Sequence, residues 1–497
     1  MRRARRARGS CVFVIVAVSL LAAPAVRARA ASQPPNVVVI VTDDQRWDSL
    51  DVMPIVQHEL VGRGVTFTNA FVSNPLCCPS RASILTGDYS HTTGVYRQIP
   101  PFGRFEAFHD GSTLATWLDG AGYDTALVGK YIDGYQHAGL TGYVPPGWDR
   151  WVGFIHAGYQ DYQLSIDGAV QAYGDAPGDY STDVLASEAV SFIRRARGPL
   201  FLYFAPEAPH APAIPALRDL PAFAGRPVAT APSFDEADVS DKPAYVRDLP
   251  RITETRRDEV TAFVLDQDRT LLAVDRAVGR IVDALRATGR LQDTWIVFTS
   301  DNGISYGEHR WTKKEVPYEE SIRVPMVVRF DPFGVTKTDD HLVANIDIAP
   351  TVAALAGVAT PPVDGRSLLP LLGPPEADPP WREDLLLEHM EGTNPVPTYC
   401  GVRAVHTVYI RYATGEEELY DLVADPFELF NLAADPSAAG LLSSMRARLG
   451  VLCDPLPPGF DDRWSGRIWL TLGTLFASFA LEAIRIRRRR RIPTVHS

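Results

Sequence analysis

The hydrophobic pattern of the chain alternates between strand-like and helix-like periods. Val37-Val38-Val39-Ile40-Val41 and Trp295-Ile296-Val297-Phe298-Thr299 are continuous apolar or β-branched runs, the pattern of strands buried on both faces of a sheet. Phe201-Leu202-Tyr203-Phe204 and residues 125–128 read the same way. Between them, helical periodicity predicts helices over 112–118, 183–195 and 258–287. That order implies an α/β fold, a large and mostly parallel sheet sandwiched by helices. From residue 379 the pattern changes to short strand-like runs at 403–412 and 419–422, with a last helix over 438–449. This predicts a smaller C-terminal α+β subdomain containing an antiparallel sheet. The proline-rich stretch 206–250 reads as ordered surface loops or a substrate lid.

The two ends depart from this pattern. Arg2, Arg3, Arg5, Arg6 and Arg8 precede an apolar run over 11–23 and an Ala28-Arg29-Ala30 site, so residues 1–30 read as a signal segment for export. Near the other end, 468–484 is largely apolar, flanked by Trp464 and Trp469 and followed by Arg485 and the arginines of 487–491. This predicts a membrane anchor over 464–484 with a basic cytoplasmic tail at 485–497. The span is short for a bilayer and contains Glu482, which keeps an interfacial helix as the alternative. Residues 34–375 form the expected catalytic domain and 379–455 the subdomain. Of five cysteines, Cys11 leaves with the signal, and Cys400 and Cys453 could pair in an oxidising compartment.

Two polar clusters follow the buried runs. Asp43 and Asp44 end the first, and Asp301 and Asn302 end the second. Ligands in open α/β sheets sit outside the carboxyl ends of strands, so the clusters could converge. Three carboxylates and an amide oxygen form a hard donor set suited to Ca²⁺ or Mg²⁺. Each cluster alone also fits a helix cap or a turn. Between them lies Cys77-Cys78-Pro79-Ser80-Arg81, closing with Leu85-Thr86-Gly87. Pro79 suits a first helical turn, which puts Cys77 at a helix N-terminus that attracts anions. Arg81, one turn on, offers a fork of donors to an anionic oxygen or a neighbouring carboxylate. The plain alternative is a pair of buried structural thiols.

The frame Cys77-x-Pro79-x-Arg81 with Leu85-Thr86-Gly87 resembles the signature of the formylglycine-dependent type I sulfatases of the alkaline phosphatase superfamily. The resemblance implies that a formylglycine-generating enzyme oxidises Cys77 to formylglycine, whose hydrate is the nucleophile. It also implies a divalent cation, usually calcium, on Asp43, Asp44, Asp301, Asn302 and residue 77. Lys130 in Gly129-Lys130-Tyr131, His210 in Pro206-Glu207-Ala208-Pro209-His210-Ala211-Pro212, and Lys314 four residues before Tyr318 match further family positions. By the resemblance, they bind sulfate or assist departure of the alcohol, and Arg81 belongs to the catalytic set. Lys313 competes with Lys314, and the spacing to Tyr318 favours Lys314. Ile132 stands where many arylsulfatases have histidine, which leaves Asp301 or Asp133 as the base restoring the aldehyde. That departure, with Tyr162-Gln163-Leu164-Ser165-Ile166-Asp167-Gly168, makes the chain most similar to N-acetylglucosamine-6-sulfatases. The resemblance spans residues 34–435.

Charge narrows the expected substrate. Removing the seven arginines of residues 1–30 and the six of 485–497 takes the formal charge from −11 to −24. Such an acidic body excludes nucleic acid and disfavours long polyanions. The expected substrate is therefore a small or sparsely sulfated ester: a 6-sulfated hexosamine, another small glycan or an aryl ester. A phosphonate or phosphodiester hydrolase of the same superfamily is the enzymatic alternative. A catalytically inactive, membrane-tethered sulfoglycan-binding protein is the other.

Overall fold

The computed structural model describes residues 34–135, 142–374 and 379–460. The expected signal segment at 1–30, the anchor at 464–484 and the basic tail lie outside the described residues. Among the described residues no helix is long and apolar enough to cross a membrane.

Ten strands form the main sheet. In spatial order they are Lys337–Asp339, Val65–Phe67, Met326–Arg329, Thr294–Ser300, Asn36–Thr42, Leu200–Ala205, Asp124–Gly129, Arg150–His156, Gln163–Ile166 and Ala169–Ala172. The five from Thr294–Ser300 to Arg150–His156 run parallel. Antiparallel pairings flank them on both sides, so the sheet is mixed with a parallel centre.

The continuous apolar runs are explained by helices on both faces. Val38, Ile40, Leu202, Phe204, Ile296 and Phe298 point into a core shared with the helices Ser181–Arg195 and Glu254–Ala287. Their neighbours Val37, Val39, Val41, Phe201, Tyr203 and Val297 point the other way. They meet the helices Cys77–Thr86, Leu114–Asp119 and Ile348–Ala356. Either orientation of a side chain meets apolar atoms, so no polar alternation is selected. The long helix begins at Glu254, earlier than periodicity placed it. Thr253 caps it, accepting from the Arg256 N–H at 3.2 Å, while its first turns are exposed and polar.

The C-terminal part is a four-stranded antiparallel sheet, Asp384–His389, Tyr399–Ala404, Thr407–Tyr412 and Glu417–Asp421, covered by the helix Ala439–Leu452. A disulfide joins Cys400 to Cys453. The run 403–412 is not one strand but two, bent at Val405 and His406. No Gly, Pro, Asn or Asp marks that bend, so the strand pattern runs through it unbroken. Within 206–250 the only helix among the described residues is the single turn Ala244–Arg247. The stretch is anchored by Asp235, which accepts from Arg251 Nε at 2.8 Å and from the Ile252 N–H at 2.8 Å.

Candidate active site

Strand register creates the site. Thr42 and Ser300 are direct partners across the sheet centre, so Asp43 and Asp301 leave it side by side. The Asp301 N–H donates to the Thr42 carbonyl at 3.0 Å, and the Asp44 N–H to Asp301 Oδ1 at 3.2 Å. Asp44 has φ +65°, a left-handed conformation costing a non-glycine residue on the order of 1 kcal/mol or more. Asn302 Nδ2 donates to Asp44 Oδ1 at 2.7 Å. All four of these side chains are buried, yet Asp43 Oδ1 and Asn302 Oδ1 have no hydrogen-bond partner. Orphaned acceptors are expensive in a protein interior, and a cation among them would satisfy both.

Cys77 is the first residue of the helix Cys77–Thr86. Leu76 before it is extended, Pro79 occupies the first turn where no N–H is missed, and Gly87 closes the helix at φ +84°. Ligand-capable atoms of Asp43, Cys77 and Asp301 lie within 4.8 Å of one another, as do those of Asp43, Asp44 and His210. Arg81, one turn along, faces the acids. Its Nε donates to Asp301 Oδ2 at 2.8 Å, one terminal nitrogen to the Lys130 carbonyl at 3.1 Å, and the other to Asp43 Oδ2 at 3.3 Å. Of the two partners open in the sequence, Arg81 takes the carboxylates.

Lys130 arrives through a constraint on its neighbour. Gly129 has φ +125°, and a Cβ there would lie 1.9 Å from the Ala205 carbonyl oxygen, so the backbone can close on the adjacent strand only without a side chain. Lys130 Nζ then donates to Asp43 Oδ2 and sits 3.8 Å from Glu207 Oε2. His210 follows the next strand. Its Nδ1–H donates to the Ala211 carbonyl at 2.6 Å, and Nε2 faces Asp44 Oδ2 at 3.7 Å. Lys314 Nζ donates to Asp44 Oδ1 at 2.6 Å and lies 3.5 Å from Cys77 Sγ. Lys313 points elsewhere, donating to Asn394 Oδ1 at 2.8 Å.

Two neighbours were not singled out from the sequence. Glu207 lies 3.3 Å from His210 Nδ1, and Gln98 donates its amide to the Cys77 sulfur. Glu207, three residues before His210, could have been read from that spacing; Gln98 carries no motif. Ile132, where the resemblance places a histidine in many arylsulfatases, is buried in the apolar core on one face of the sheet.

Burial opposes every charge here, and the balance of neighbours decides each state. Burial pushes Asp43 up, but Lys130, His210, Arg81 and Lys314 outweigh it and hold the carboxyl well below the usual range. Burial and the charge of Asp43 push Asp301 up to about 6. Burial likewise pushes the Cys77 thiol up to about 12 despite Lys314 and Lys130, so an unmodified residue 77 is a neutral thiol at pH 7. Burial would lower His210, but Asp44 and Asp43 raise it above the ordinary imidazole value.

The sulfatase family model matches residues 35–358. The chain belongs to the sulfatase family. A second model, N-sulphoglucosamine sulphohydrolase, C-terminal, matches residues 307–454 of this sulfatase-family chain. It is 34% identical over 351 residues to the extracellular sulfatase SULF-1 homolog of Drosophila melanogaster, a match covering 68% of this chain and 31% of that protein. The chain thus spans about a third of that relative's length. To the N-acetylglucosamine-6-sulfatase of Homo sapiens it is 32% identical over 478 residues, 85% of each protein. A solved structure in complex with its substrate D-glucosamine-2-N,6-O-disulfate superposes with a TM-score of 0.72 at 25% identity, covering 87% of this chain and 99% of that one.

Proposed function

We propose that this sulfatase-family protein hydrolyses the sulfate monoester of a small sugar, a 6-sulfated hexosamine. The carrying observation is that Cys77, Arg81, Lys130, His210 and Lys314 meet Asp43, Asp44, Asp301 and Asn302 at the carboxyl ends of the central strands, although they come from six separate chain segments. The N-acetylglucosamine-6-sulfatase relatives and the disulfated glucosamine bound in the superposed structure support the hexosamine.

The site fits the two groups the family uses. A divalent cation, Ca²⁺ or Mg²⁺, would be held by Asp43, Asp44, Asp301, Asn302 and residue 77, an oxygen-rich set with two orphaned acceptors. Formylglycine formed from Cys77 would supply an oxygen nucleophile as its hydrate, and the cation Lewis-acid stabilisation of anionic oxygens.

The remaining steps belong to this chain's own side chains. Lys130 and Lys314 place two ammonium charges beside residue 77 to receive sulfate oxygens and to balance charge developing on them. Arg81 positions Asp43 and Asp301 and does not face the substrate. His210, oriented by the Ala211 carbonyl, presents Nε2 to the site and donates a proton to the departing alcohol oxygen. The formylglycine-generating enzyme is the implied partner, and the extracellular relatives support an exported protein.

Turnover of nitrophenyl sulfate against phenyl phosphonate tests the reaction class. Faster sulfate cleavage is expected, and faster phosphonate cleavage would move the protein to the alternative hydrolase. Mass spectrometry of the peptide carrying residue 77 tests the nucleophile: the aldehyde is expected, and an intact cysteine with glycan binding but no cleavage would leave a binding protein.

A further inference from the structure

A cavity of about 370 Å³ opens onto the site at Asp44 and Lys314, within the size range of small-molecule pockets. Val260 and Phe263 from the helix Glu254–Ala287 and Ile304 from the loop after Asn302 give it an apolar surface. Ser305 adds a buried hydroxyl that has no partner. Arg256 and Lys313, two cations for which the reaction has no use, also line it, as does the carboxylate of Glu259. The bond from Lys313 to Asn394 Oδ1 is to a neutral amide, and Glu315, a carboxyl that feels its charge, is pushed towards its neutral form by burial. Asn394 belongs to the loop between the first two strands of the C-terminal sheet and donates onward to buried Glu315. Arg256 is tied to Glu259 Oε2 at 3.0 Å and to Thr312 Oγ1 at 2.8 Å, with its side chain 47% exposed.

We propose that this cavity receives the alcohol half of the ester as a sugar ring, and that Lys313 and Arg256 bind a second anionic substituent on that ring. The inference rests on the sulfatase reading of the adjoining site and adds the charge of the leaving group to it. Lys314 and Asp44 border both spaces, so the cavity is placed to hold the group that carries the sulfate being cleaved. The apolar surface suits the C–H face of a pyranose. A body this acidic repels a doubly charged small molecule at long range, so binding one needs local cations, and Lys313 and Arg256 line the cavity in addition to Lys314, which the reaction already uses. A simple aryl sulfate would cover the apolar surface and leave Lys313 and Arg256 unused.

The experiment compares three 6-sulfated glucosamines that are N-acetylated, N-sulfated or N-succinylated, with nitrophenyl sulfate measured alongside. Wild-type kcat/KM should favour an anionic probe over the acetylated one by about tenfold, the worth of one hydrogen bond to a charged group. K313Q and R256Q should each shrink that ratio severalfold, mainly through KM, and K313R should restore it. The preferred probe tells sulfate from carboxylate. Turnover with a ratio near one in wild type, or a ratio that neither variant changes, overturns the inference alone. If protein with converted Cys77 cleaves neither nitrophenyl sulfate nor any sugar sulfate, the sulfatase reading itself falls, and this inference with it.

Discussion

Arg81 is 1% exposed and gives three donors to Asp301, Asp43 and the Lys130 carbonyl. Removing it leaves two carboxylates buried without their guanidinium, a change that costs about 3–5 kcal/mol where one partner of a buried pair is lost. R81Q should therefore lower the unfolding free energy measured by urea titration by that order, and a variant as stable as wild type would show that Lys130 and Lys314 neutralise both acids unaided. Lys314 should behave differently from Lys313. K314M is expected to reduce kcat on nitrophenyl sulfate by about 100-fold, the lower range for losing one preorganised charge at a reacting centre. Equal losses from K313M on that aryl ester would contradict the assignment. The sequence distinguished these two lysines because spacing to Tyr318 is a local property, as is the Cys-x-Pro-x-Arg frame. Gln98 was illegible because its contact with Cys77 exists only once a patternless loop has folded over the helix N-terminus.

Elements show the same division. The buried strands were legible because helices cover both faces, and each run ends in the residues that form the site. The bend at Val405 and His406 was not, since a turn without glycine or proline leaves no mark on a two-residue period. The sheet built around that bend carries its own pH dependence. His389 is fully buried on the strand Asp384–His389, stacked on Tyr399 at 5.2 Å, and burial holds its imidazole down at about 3. Glu315 Oε2 lies 3.8 Å away, and burial raises that carboxyl towards its neutral form, so the pair does not rescue the charge. The unfolded chain, titrating near 6.5, then binds a proton that the folded chain refuses. This stability is complete above the unfolded value and is lost as pH falls from there towards the folded one. Between pH 7 and pH 5 the loss is about 2 kcal/mol, at about 1.36 kcal/mol per unit. H389F keeps the ring stack and should flatten the slope of unfolding free energy over that range. A slope identical to wild type would place the proton elsewhere.

At the scale of the molecule, long-range charge and the local cation site act in opposite directions. A cation bound only by the folded chain stabilises it by about 2.7 kcal/mol at 100 times its dissociation constant. Ca²⁺ should thus raise the melting temperature and a chelator lower it, a response that N302A should weaken by removing an orphaned acceptor. A melting temperature indifferent to both would remove the metal from the site. The body between the two arginine-rich ends carries a formal charge of −24, which resists the approach of any anionic substrate. Repulsion at that range is screened by salt, with a Debye length of about 30 Å at 0.01 M and about 8 Å at 0.15 M. For the mono- and disulfated sugars, kcat/KM should therefore rise with ionic strength over this range, and more steeply for the doubly charged probe. The cavity cations act at contact distance and are screened less, so they raise the affinity without reversing the slope. If kcat/KM fell with salt, a positive path to the site would be steering substrate in, and the acidic surface would not govern encounter.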